Sequence, residues 1–80
     1  MSIEFLYVHF EDPTGSPVSC DVLADGQAEG PANKLLMLEG GSYVISLDST
    51  QPYQPAQIAL ALGGTSQIRP KILVFQFAAA

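Results

Sequence analysis

A thiol nucleophile needs a base beside it, and the chain offers one of each: Cys20 and His9. The two could meet if the first two strands are neighbours. Their surroundings argue otherwise. Cys20 falls on the inward stripe Val18, Cys20, Val22, where a cysteine behaves as a small hydrophobe. His9 sits beside Tyr7 and Phe10 in an apolar strand and reads as a structural residue. Carboxylates are the commonest charged groups. Glu11 and Asp12 share one turn and Asp21 and Asp25 flank another, a distribution that calcium, which wants clustered oxygens, could use. No Asp-x-Asp-x-Asp run or EF-hand spacing occurs, and Asp12 and Asp25 read as turn formers. Gly63-Gly64-Thr65-Ser66 lacks the spacing and the lysine of a phosphate loop, and reads as a hairpin connection. Neither G-x-S-x-G nor H-E-x-x-H is present. The expectation is a non-enzyme with no catalytic residue, no cofactor and no metal.

The elements that carry these residues are strands. Residues 3–10, IEFLYVHF, are β-branched and aromatic, with Ile3, Phe5, Tyr7 and His9 on one face and Glu4, Leu6, Val8 and Phe10 on the other. Residues 12–17 form a turn, 18–23 an alternating strand, and Asp25-Gly26 a hairpin signal leading to a short return strand over 27–29. KLLML, 34–38, lies between Pro31 and Gly40, too short for a stable helix, and reads as a strand. Further strands are expected over 42–48, 56–62 and 67–77, with a two-proline loop at 49–55 and Pro70 at an edge, a bulge or a strand start. Six or seven short strands with Gly/Pro turns predict one all-β domain over 1–80, a small antiparallel β-sandwich.

Composition removes other classes. Of the 80 residues, 48% are hydrophobic and 14% charged, against about 25% charged in soluble domains. That apolar fraction is incompatible with intrinsic disorder. With Lys34, Arg69 and Lys71 as the whole basic complement and a net charge of -5, no patch for phosphates can be assembled. A nucleic-acid partner is therefore not expected. No stretch nears the roughly 18 apolar residues of a membrane span, and membrane insertion is not expected. The opening MSIEFLYVHFEDP lacks a basic region and carries Glu4 and His9 within its apolar run, so a cytoplasmic location is expected.

The segment from Cys20 to Leu47 resembles a PEGA domain, and more broadly the carboxypeptidase-regulatory-like, transthyretin/prealbumin-like β-sandwiches. The likeness rests on Asp25-Gly26, Gly30, the apolar run Leu35 to Leu38, Gly41 and Tyr43-Val44-Ile45, with Asp12 to Val18 matching a D-x-x-G-x-P-V entry. Pro31-Ala32-Asn33 replaces the usual Thr-Pro of PEGA. The resemblance implies a sandwich with an accessory or binding role and supplies no catalytic residues.

The apolar terminal strands point to the expected function. A two-layer sandwich covers one face of each sheet, and 80 residues leave little to cover the other. Leu6, Val8, Phe10, Leu73, Phe75 and Phe77 are the candidate interface, for a protein partner or for self-association into a homo-oligomer. The alternative is a small-ligand or carbohydrate binder that uses Tyr43, Asp48 and Tyr53 around the 49–55 loop.

Overall fold

The computed structural model describes residues 2–78. It is all-β, with eight strands: β1 (Ile3–Phe10), β2 (Asp21–Ala24), β3 (Gln27–Pro31), β4 (Leu35–Glu39), β5 (Gly41–Asp48), β6 (Tyr53–Gln54), β7 (Ile58–Leu62) and β8 (Lys71–Phe77). They form two four-stranded sheets, ordered β4-β1-β8-β6 and β3-β2-β5-β7. The sequence reading of six or seven strands misses β6, a two-residue strand beyond Pro52 in the expected loop. The pairing is not wholly antiparallel either, because β1 and β8 run parallel, with Val8 beside Leu73 and Phe10 beside Phe75.

Local chemistry explains the connections. Asp25 and Gly26 both have positive φ, 51° and 85°, as a type I′ hairpin turn requires, and they join β2 to β3. Gly30 has φ 151°, and a Cβ there would lie 2.6 Å from the Leu36 side chain, so the position is closed to larger residues. Gly40 is the single residue between β4 and β5, which belong to different sheets. The Gly63 to Ser66 segment likewise leads from one sheet to the other, from β7 to β8. It is a crossover rather than the expected hairpin connection.

The core lies between the sheets. Leu6, Val8 and Phe10 from β1 are fully buried and Leu73 and Phe75 from β8 nearly so, against Val22, Ile45 and Leu47 of the second sheet. Tyr53 stands edge-on to both Phe10 and Phe75, at centroid distances of 6.0 and 5.5 Å. These placements correct the candidate interface. Leu6, Val8, Phe10, Leu73 and Phe75 are the core itself, and Phe77 is half-buried against it. The outward residues of the same strands are those one position out of phase.

Glu4 is the reason the alternation misleads. It shares the inward face with Leu6 and is buried. Its Oε1 accepts from the Thr65 backbone N–H at 2.9 Å and the Thr65 hydroxyl at 2.7 Å. The same hydroxyl accepts from the Phe5 N–H at 2.7 Å. A carboxylate can face inward here because the crossover brings its hydrogen-bond donors.

Candidate functional site

The register builds one apolar surface from three strands. On the outer face of the first sheet, Leu35, Tyr7 and Ile72 form one row across β4, β1 and β8, with Met37 and Phe5 in the next and Ile3 beyond them. Val74 of β8 continues the face beside His9. Exposure reaches 66% at Met37, 59% at Ile72, 55% at Ile3, 50% at Val74 and 43% at Leu35, which large aliphatic side chains on an open surface would not sustain without cost. Covering one such half-exposed side chain is worth about 1 kcal/mol. Charge is confined to the margins: Glu39 opposite Ile3 at one end, and at the other Glu11, whose Oε1 lies 3.4 Å from the His9 Nε2.

The outer face of the second sheet is different in kind. Its central rows pair Leu23 with Ser46, Ser42 with Ala61 and Val44 with Ala59, and Asp21 opposes Asp48 at one end. An open depression of about 390 Å³ lies there between Asp25, Ser42, Val44, Ala59 and Ala61. Its carboxylate is already engaged, since Asp25 Oδ1 accepts from the Val44 N–H at 2.9 Å. Small apolar side chains with few convergent polar groups do not make a specific small-molecule site.

The reactive residues are held apart. His9 faces outward beside Val74, whereas Cys20 is half-buried and packs against the core. Burial first, then the charges of Asp21 and Asp48, push the Cys20 thiol above its ordinary value, which disfavours the thiolate a nucleophile needs. Among the described residues no group of three or more His, Cys, Asp or Glu side chains is placed to hold a metal ion. Asp12 is a turn former: its Oδ1 accepts from the Thr14 hydroxyl and from the Thr14 and Ser16 N–H groups.

The three residues of the ligand alternative are not brought together as a stacking surface. The Tyr53 ring is spent on Phe10 and Phe75, and its hydroxyl donates to the Leu47 carbonyl at 2.9 Å and accepts from the Leu47 N–H at 3.2 Å. The Tyr43 hydroxyl donates to the Glu39 carbonyl at 2.6 Å. Asp48 is exposed at the end of β5, opposite another carboxylate.

Sequence reasoning did not single out Asn33, which locks the frame behind the apolar face. It holds φ 63°, and its N–H donates to the Val8 carbonyl at 2.7 Å. An asparagine two residues after Gly30-Pro31, at a turn position where it tolerates positive φ, is the signal that could have identified it.

Compared with protein-family models, curated proteins and solved structures, the chain matches none of them. No helix among the described residues is long and apolar enough to cross a membrane.

Proposed function

We propose that this domain is a non-enzymatic protein-binding module that docks a partner on the outer face of its first sheet. The observation that carries the proposal is the contrast between the two outer faces. One exposes Ile3, Leu35, Met37, Ile72 and Val74 around Phe5 and Tyr7 with charge only at its margins, and the other mixes serine with small or half-buried apolar side chains and exposes no large one. Contiguous apolar patches on a small domain mark interaction surfaces. An aromatic centre with a charged rim is the usual build of a protein interface. The motif-level likeness to PEGA and transthyretin-like sandwiches supports the same accessory, non-catalytic role, and the cytoplasmic reading fits a free thiol at Cys20.

The test is a Met37→Lys/Ile72→Lys variant compared with the wild-type chain as bait in extract from the source cells. Both sites are exposed, so the fold should hold, with stability changed by about 1 kcal/mol or less. Proteins that co-purify with wild type are expected to be lost from the variant. The same proteins recovered on both baits would overturn the proposal. Phe75→Lys is unsuitable for this purpose, because it places an unpaired ammonium in the core and unfolds the chain.

A further inference from the structure

Four strands end the two sheets, and three of them carry a device against pairing with another chain. β3 contains Glu29 and Pro31, and its ladder with β2 is irregular where Glu29 bulges between Ala28 and Gly30. β4 ends in the charge of Glu39. β6 is two residues long and lies between Pro52 and Pro55. β7 has none of these. Ile58, Ala59, Leu60, Ala61 and Leu62 pair in unbroken register with β5 on one side, and no strand among the described residues lies on the other. Natural edge strands are usually blunted by charge, proline, bulges or shortness.

The strand also reads nearly the same in both directions. An antiparallel copy centred on Leu60 sets Ile58 opposite the partner's Leu62, Ala59 opposite the partner's Ala61, and Leu60 opposite its own equivalent. Large side chains meet large on the core side and small meet small on the outer side. Ile58 and Leu60 are only half-buried at this rim, so pairing would complete their cover. No charge lies in the strand, so the net charge of -5 is not brought to the contact. A two-fold interface requires such self-complementarity.

We infer that β7 is the edge at which two copies of this chain join, antiparallel and in the register centred on Leu60, into one continuous eight-stranded sheet. The two-fold axis of such a pair stands normal to the sheet, so the first sheets of both copies lie on the same side of it. The pairing does not depend on the docking face. Taken with the proposed docking reading, it makes the dimer a bivalent surface, with two apolar faces turned the same way and the avidity that follows.

The test is sedimentation equilibrium on the whole chain up to about 1 mM, since edge contacts are small and interfaces of that size are weak. Wild type is expected to shift from the mass of one chain, 8.5 kDa, towards that of two. Ala59→Lys/Ala61→Lys points ammonium groups outward and opposes them across the axis, and it is expected to stay monomeric with an unchanged circular dichroism spectrum. Ala59→Lys/Ala61→Glu sets each new ammonium opposite a new carboxylate and is expected to dimerise. A wild type that stays monomeric, or a double-lysine variant that still dimerises, overturns the inference. Met37→Lys/Ile72→Lys should leave the dimer intact. If it alone abolishes self-association, copies join through the docking face, and the β7 inference falls while the docking proposal stands.

Discussion

The side-chain amide of Asn33 closes a two-way pair with the backbone of Phe10. Its Oδ1 accepts from the Phe10 N–H at 3.0 Å and its Nδ2 donates to the Phe10 carbonyl at 2.9 Å. A second, longer bond runs from Nδ2 to the Val18 carbonyl at 3.3 Å. One loop residue thus fastens the end of β1 and the approach to β2, the two segments that the Asp12 turn separates. It does so from a left-handed backbone conformation that asparagine tolerates better than most residues.

Asn33→Ala should therefore cost about 2–4 kcal/mol. It leaves the Phe10 N–H beside the core without its partner, while the Phe10 carbonyl keeps the Val18 N–H at 3.0 Å, and it puts a Cβ-bearing residue without a helpful side chain at φ 63°. Asn33→Gly keeps the conformation and loses only the side-chain bonds, so it should cost less than the alanine variant. Urea midpoints for the three proteins separate the two contributions. If glycine and alanine cost the same, the backbone contribution is absent.

The alternation that predicts the strands does not decide which face of β1 turns inward. Both faces are apolar: Ile3, Phe5 and Tyr7 on one, Leu6, Val8 and Phe10 on the other. Glu4 shares the second face, so reading that face as the outer one is reasonable from charge alone. The residue that reverses the decision is Thr65, about sixty positions away, whose hydroxyl and N–H satisfy the Glu4 carboxylate. Non-local partners of this kind leave no periodic trace. The same holds for the parallel β1–β8 pair, and for β6, too short between its prolines to show a pattern. The Asp25-Gly26 hairpin and the alternation of Val22, Ile45 and Leu47 were legible because they depend on neighbours in the chain. The candidate docking face was legible as a pair of doubly apolar strands, with the wrong phase chosen.

Glu4 also fixes how the fold answers to acid. The Thr65 hydroxyl, then the Thr65 backbone N–H and the Ser2 hydroxyl, hold its carboxyl below the ordinary value of 4.5. Asp12 is lowered likewise, by the Thr14 hydroxyl first and then the Ser16 N–H. A carboxyl whose pKa is lower folded than unfolded contributes stability that is fully present above the unfolded value and is lost as pH falls through the folded one. Stability should be flat from neutral pH down to about 5 and decline below about 4.5. Thr65→Val removes one donor to Glu4 and should make the decline shallower. A variant with the wild-type slope in urea titrations between pH 5 and pH 3 would place the acid response elsewhere.

Asp21 and Asp48 stand directly opposite each other on β2 and β5, both exposed and both acidic. Like charges in register across a ladder are destabilising by roughly 0.2–1 kcal/mol, and the net charge of -5 supplies no local relief. Asp48→Lys turns the repulsion into an attraction between exposed groups, so a gain of about 0.5–1 kcal/mol is expected, shrinking as salt is added. The substitution also removes one of the charges that raise the Cys20 thiol. Alkylation of Cys20 should therefore begin at lower pH in the variant than in wild type, even though the folded protein is more stable. A stability gain without a change in the alkylation profile would mean that Asp48 does not contribute to the thiol's acidity, leaving burial and Asp21 to set it. A loss of stability would mean that Asp48 makes a favourable contact that outweighs its repulsion with Asp21.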